Sequence, residues 1–155
     1  MTDPPLLTLR SAAEYRQHFE RTLCALPLRT SNGTPIYFNK RDFNHAFFES
    51  SDRAGAKDLF SAPRSERMGW IELTLALGSA TRVQGWDNKR KTLLPDRCVF
   101  HAFGDFVVVV RMSRAQDGSL KGTFITCIGA DRSLAKILKA PPWTYADFVR
   151  WETRT

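Results

Sequence analysis

The chain lacks most of the features that would label it at once. Three cysteines stand among 155 residues, at positions 24, 98 and 127, with no Cys-x-x-Cys pair. An odd, widely spaced set argues against a disulfide framework and against a thiolate zinc site. A reduced, cytoplasmic setting is the simplest expectation. No apolar run approaches the roughly twenty residues that span a bilayer, so no membrane partner is expected. The opening Met1-Thr2-Asp3-Pro4-Pro5 has no basic stretch leading into an apolar core, unlike a secretory signal. Delivery as an effector by a specialised route stays open. There is no internal repeat, no low-complexity tract and no linker long enough to separate a pair of domains. One domain over residues 1–155 is expected, with a loose arm over 1–10 and a C-terminal extension over 140–155. At this length roughly 70% of the unfolded surface can be buried, so no covalent or metal staple is required.

Catalytic signatures are also missing. There is no P-loop, no G-x-G-x-x-G, no G-x-S-x-G and no H-E-x-x-H, and carboxylates do not cluster as a two-metal nuclease needs. Neither a cofactor nor a bound metal is expected. What the chain does have is positive charge: 23 Lys and Arg against 16 Asp and Glu, a formal net charge of +7. Such an excess favours a polyanionic partner, nucleic acid before membrane, although a merely soluble basic protein would carry it too.

Periodicity and turn residues give an element order. Ser11-Ala12-Ala13-Glu14 forms a capping box that opens a helix to about residue 25, ended by Pro27. Residues 35–38 read as a short strand. Residues 42–50 read as a helix, with Phe43 and Phe47 one turn apart. Residues 51–57 read as a glycine-containing loop. A further helix starts at Ser61-Ala62-Pro63, follows Met68, Ile71 and Leu75, and ends before Gly78. Residues 79–96 are polar, with room for a short strand near 81–84. Three strands then follow over 98–103, 106–112 and 123–128, with turns at Gly104-Asp105 and Asp117-Gly118. The four valines of the second suggest burial on both faces. Asp131 can cap a helix to about residue 139, and a last short helix runs from Thr144 to near Trp151. Helices first and a meander after them indicate an α+β fold.

Only three histidines are available for acid–base work: His18, His45 and His101. His18 reads as an exposed helix residue and His101 as a satisfied strand residue. His45 keeps different company. Helical spacing sets it one turn from Arg41 and Glu49, while Phe43, Ala46 and Phe47 can anchor its helix. An imidazole titrating near neutrality can accept or donate a proton at a phosphodiester. A structural pairing of His45 with Glu49 fits the spacing as well.

Arg64 and Arg67 stand three apart at a helix start and can share a face. Guanidinium forks match phosphate oxygens, and a solvated pair beside Glu66 is the plainer alternative. Lys40 and Arg41 flank the histidine helix as substrate contacts. Lys89-Arg90-Lys91 near Trp86 offers cations for phosphate beside an aromatic for stacking, or else a solvated loop. Thr123 and Thr126 can present hydroxyls from the third strand of the meander. Strict alternation there separates Thr126 from Thr123 and Cys127. Cys127 reads as an inert thiol in an apolar strand.

These pieces, taken in order, resemble the phage-associated nucleases of the Barnase–EndoU–colicin–RelE-like (BECR) group. The resemblance runs from about Tyr37 to Asp131. It rests on Phe38-Asn39-Lys40-Arg41-Asp42-Phe43-Asn44-His45-Ala46-Phe47-Phe48, on Arg64-Ser65-Glu66-Arg67-Met68-Gly69-Trp70-Ile71, on the valine-rich strand and on Gly122-Thr123-Phe124-Ile125-Thr126. It implies N-terminal helices packed on a roughly four-stranded antiparallel sheet, with the short C-terminal helices lying outside the shared pattern. It also implies a metal-independent endoribonuclease, a toxin or phage effector, with an immunity or antitoxin protein among its partners. Carried over residue by residue, the histidine role falls on His45, the arginine role on Arg64 or Arg67, and the hydroxyl role on Thr126, with Thr123 second. The expected reaction is cleavage of RNA, tRNA being one candidate, by attack of the ribose 2′-hydroxyl. The rivals are a non-catalytic nucleic-acid-binding module and a phage accessory interaction protein on the same scaffold.

Overall fold

The Ser11 signal operates as its chemistry suggests. In a computed structural model, which describes residues 2–50 and 57–154, the Ser11 hydroxyl accepts the Glu14 N–H at 3.2 Å and opens α1 (Ala12–Phe19). Glu14 reaches back one residue further than a capping box requires and accepts the Arg10 N–H at 3.2 Å. The helix widens into one π-type turn, Glu20–Cys24. Tyr15, Phe19 and Leu23 face inward. Residues 2–10 form no helix or strand, yet they are tied down. The Leu7 N–H donates to the Glu66 carbonyl, the Tyr15 hydroxyl donates to the Leu7 carbonyl, and the Trp70 indole N–H donates to the Pro4 carbonyl.

The helical and strand elements follow in the order β1 (Leu28–Arg29), β2 (Pro35–Tyr37), α2 (Asp42–Phe47), β3 (Phe48–Ser50) and β4 (Lys57–Phe60). The loop expected over 51–57 lies, up to residue 56, outside the described residues. Next come α3 (Ala62–Glu66), α4 (Met68–Ala76), β5 (Thr81–Asp87), β6 (Thr92–His101), β7 (Phe106–Arg114), β8 (Leu120–Gly129), α5 (Leu134–Leu138) and α6 (Tyr145–Arg154). Four of the expected element boundaries and caps need correction. The helix over 42–50 stops at Phe47, because Phe48 turns to extended backbone and pairs with Phe60. The single helix from Ser61 is two, broken at Arg67, whose φ of −98° and ψ of 15° leave the helical region. The short strand near 81–84 is the full strand β5, hairpinned to β6. Asp131 does not cap α5: it stands at φ 49°, and its own N–H donates to the Asp105 carboxylate at 2.9 Å.

The architecture is mixed α+β. The expected sheet of four antiparallel strands is instead six-stranded and mixed, in the order β1-β2-β8-β7-β6-β5. β2 lies parallel to β8 through Ile36↔Gly122 and Tyr37↔Thr123, and β1 pairs with β2 at the edge. Gly122 makes that contact sterically possible: a Cβ there would stand 2.6 Å from Ile36 Cδ1 and from Val110 Cγ1. Helices α1, α2, α4 and α6 cover one face of the sheet. Their core is aromatic, with Phe19 edge-on to Phe38, Phe43 and Phe47. A fully buried phenylalanine contributes about 1.5–3 kcal/mol by leaving water, so this cluster anchors the short helix α2 despite its length. The C-terminal segment belongs to the same core: Phe148 is buried, and the Trp143 indole donates to the Pro95 carbonyl at 2.7 Å. On the other face, α5 covers a smaller cluster around Val83, Val99 and Val107. The valine strand is buried on both faces, as its composition suggested.

Candidate functional site

α2 is held at both ends, which fixes the direction of its exposed side. At its start the Asp42 carboxylate accepts the Asn39 N–H at 3.0 Å. At its end the Phe47 carbonyl accepts the Ser61 N–H at 2.8 Å, stitching α2 to the start of α3. Phe43, Ala46 and Phe47 are buried, so Asn44 and His45 are left on the outer side. Arg16 bonds to the Asn44 side chain and lies over the Phe43 ring at 4.6 Å.

Arg64 closes the join between these elements. Ser61 caps α3 by accepting the Arg64 N–H at 3.3 Å. The Arg64 guanidinium donates to the Ala46 carbonyl at 3.2 Å and pairs with the Glu49 carboxylate at 3.3 Å. Its side chain is mostly covered, whereas Glu49 is half exposed. Arg64 therefore anchors on the residue directly after His45. Because α2 ends at Phe47, Glu49 stands on β3 rather than one helical turn beyond His45; its shown partner is Arg64. Arg67 turns elsewhere. It donates to its own helix at the Pro63 carbonyl, 2.7 Å away, and lies over the Trp70 ring at 5.1 Å. Both arginines nonetheless line one pocket of about 300 Å3, with Asp105, Gly129 and Asp131 opposite. Two basic and two acidic residues in its lining leave that pocket nearly balanced in charge.

The late strand departs from the alternation expected of it. β8 carries an extra residue opposite the Val109–Val110 step, so Val110 pairs with Phe124 and Val109 with Thr126. A bulge of this kind shifts every later side chain to the other face. Thr126 consequently shares its face with Thr123, and both are turned from the face that holds Phe124 and Cys127. Cys127 is fully buried, and burial raises its thiol to about 12 despite the nearby positive charge of Arg64. It is an inert thiol. Arg64 thus reaches toward the Cys127 side of β8, while Thr126 stands on the opposite side beside Val109 and donates only a long bond, 3.4 Å, to the Cys127 carbonyl.

The remaining candidates are dispersed. Lys40 and Arg41 are exposed at the start of α2. Lys89, Arg90 and Lys91 form the exposed tip of the β5–β6 hairpin, shaped by Asp87, whose carboxylate accepts the Lys89 N–H at 2.9 Å. Those bonds and the nearby arginines hold the Asp87 carboxyl below its ordinary range. His18 is partly covered, and burial together with Arg21 lowers its pKa. His101 meets the Gly104 carbonyl at 2.6 Å, a satisfied strand histidine as expected. Sequence reasoning missed the Arg64–Glu49 pair and the opposing Asp105 and Asp131. The Ser61 cap four residues before Ser65 was the available signal for how Arg64 is aimed. Among the described residues, no group of three or more His, Cys, Asp or Glu side chains could hold a metal ion. No helix among them is long and apolar enough to cross a membrane. Comparisons with protein-family models, curated proteins and solved structures find no match.

Proposed function

We propose that the protein is a metal-independent endoribonuclease, as its resemblance to the BECR nucleases suggests. The observation that carries the proposal is the anchoring of the Arg64 guanidinium on the Ala46 carbonyl, one residue from the exposed His45. In this reading His45 takes the proton from a ribose 2′-hydroxyl. The 2′-oxygen bonds to phosphorus, the bond from phosphorus to the 5′-oxygen breaks, and the departing 5′-oxygen takes a proton from water while His45 later returns its own proton to solvent. The products are a 2′,3′-cyclic phosphate and a free 5′-hydroxyl. Arg64 stabilises the charge that develops on the phosphoryl oxygens, with Arg67 as a second cation across the shared pocket. Thr126 stands on the face of β8 turned away from Arg64 and is given no role in this step.

One observation favours the non-catalytic RNA-binding reading. Glu49 already neutralises Arg64, and a phosphate must compete with it. Incubation of the protein with total RNA and with tRNA, with and without EDTA, separates the two. Cleavage to cyclic-phosphate ends that survives EDTA supports the nuclease. Salt-sensitive binding without cut product supports the binding module. Cleavage abolished by EDTA refutes the metal-independent mechanism.

A further inference from the structure

The second face of the sheet carries a groove that the proposed cleavage centre does not use. It lies between α5 and the β5–β6 hairpin and has a volume of about 800 Å3. That falls within the range typical of ligand sites, roughly 300–1,000 Å3. Val99, Val107, Val109 and Ile128 form an apolar floor, and Ile137 of α5 forms one side of the wall. Trp86, 55% exposed, stands at the opposite lip. A large indole left this open beside an apolar floor offers a flat partner surface.

The charge around the floor is of one sign where it faces solvent. Lys136 and Lys139, both exposed, line the α5 side. The floor ends in a pair of arginines: Arg97 lies directly opposite Arg111, two residues along from the opposed Val99 and Val109. Like charges directly across a sheet repel, so this pair costs stability unless an anion sits between or above them. Two carboxylates of the protein act on this pair, neither shared evenly between the two arginines. Asp96 Oδ1 stands 3.9 Å from Arg97 Nε, close enough to attract but too far for a hydrogen bond, and burial raises its pKa. Asp87 also lies near Arg97, though its carboxylate accepts the Lys89 N–H of its turn.

We propose that this groove binds single-stranded RNA. A base stacks on Trp86 above the valine floor, and the phosphates run along Lys136 and Lys139 towards the Arg97–Arg111 pair. Cationic walls with an aromatic platform are the physical requirement for a flexible strand. A duplex keeps its bases stacked inward and cannot lay one on the floor. The groove opens on the face opposite the helices that carry His45 and Arg64, so it is a separate binding subsite. It rests on the proposed function only in taking RNA as the polyanion.

The test uses an RNA that cannot be cut. Fluorescence anisotropy follows a labelled 2′-O-methyl oligouridylate of about twelve nucleotides titrated with the full-length protein, and the Trp86→Ala and Lys136→Glu/Lys139→Glu proteins should each bind about tenfold more weakly. A duplex of the same length should bind the unaltered protein more weakly than the single strand. These side chains are exposed, and circular dichroism checks that the variants keep their fold. Unchanged affinity in both variants overturns the proposal. So does a duplex that binds as tightly as the single strand, or a polyglutamate peptide that competes as well as RNA. Because the probe lacks a free 2′-hydroxyl, binding and cleavage fail separately: a protein that binds it as stated yet cuts no RNA keeps the groove and loses the nuclease.

Discussion

Replacing Arg64 by alanine separates a structural arginine from a catalytic one, because the two roles differ in size. The guanidinium makes one bond to the Ala46 carbonyl and one ion pair to Glu49. Glu49 is half exposed, so the pair is worth roughly 0.2–1 kcal/mol. A hydrogen bond from a charged donor adds about 1.5–3 kcal/mol, and Ala46 is buried, so its carbonyl would lose that partner out of water. The expected loss of stability is therefore about 2–4 kcal/mol, or roughly 5–15 °C in Tm. A domain with the usual reserve of about 5–15 kcal/mol stays folded after such a loss. If Arg64 stabilises developing phosphoryl charge, its removal costs about 10²–10³ in kcat. The assay is kcat/KM on RNA beside urea denaturation of the same preparations. Glu49→Gln is the companion. It frees Arg64 for phosphate at a stability cost below about 1 kcal/mol, so cleavage should be retained or increase. The reasoning is refuted if Arg64→Ala cleaves within about threefold of the unaltered protein. It is also refuted if Glu49→Gln loses as much activity as Arg64→Ala, since the carboxylate would then be the acting group.

Three further outcomes follow from the packing. Tyr15→Phe leaves the Leu9 N–H and the Leu7 carbonyl without their hydroxyl partner, so stability should fall by about 1–3 kcal/mol. Limited proteolysis should then cut within residues 2–10 faster, and an unchanged rate would refute the clamp. Gly122→Ala drives a methyl into Ile36 and Val110 and should cost about 1–3 kcal/mol in urea; a neutral result would mean that β2 and β8 are not closely packed. Burial raises the Asp96 carboxyl above its ordinary 3.8, outweighing Arg97 and Arg111. A proton held more tightly in the folded state means that this group's contribution is greatest below 3.8 and is lost as pH rises through the raised value. Asp96→Asn should therefore compare more favourably with the unaltered protein at pH 7 than at pH 3, and the reverse order would contradict that sign.

The sequence was most legible where local chemistry agrees with burial. The Ser11 cap, the valine strand, the Thr144 start of the last helix and the inert Cys127 all follow from residue type and spacing. Thr144 indeed accepts the Asp147 N–H at 3.1 Å, and Phe148 packs inward. What was hidden depends on partners far along the chain. β2 joins β8 in parallel only because Gly122 admits Ile36, and no local pattern announces that pairing. The bulge at β8 adds one residue and so reverses the expected relation of Thr123 to Thr126. α2 ends early because Phe48 finds Phe60 across a strand pair. Within the candidate site, the burial of Phe43 and Phe47 that leaves His45 exposed follows from their spacing, whereas the bond from Arg64 to the Ala46 carbonyl joins two elements that no local pattern brings together. The same holds for the neutralising Glu49 and the opposing Asp105 and Asp131, since each arrives on a different element. The Arg97–Arg111 pair was equally hidden, because opposition across a sheet depends on register.

The central claim is acid–base catalysis by His45, and one comparison tests it most directly. Cleavage of RNA by His45→Ala is measured against the unaltered protein in EDTA, with binding of the uncleavable 2′-O-methyl strand as control. A single proton-transfer residue supplies about 10²–10⁴ in rate, so cleavage should fall by at least two orders while binding is unchanged. Equal cleavage by the two proteins, or none by the unaltered protein on any RNA offered, would contradict the account.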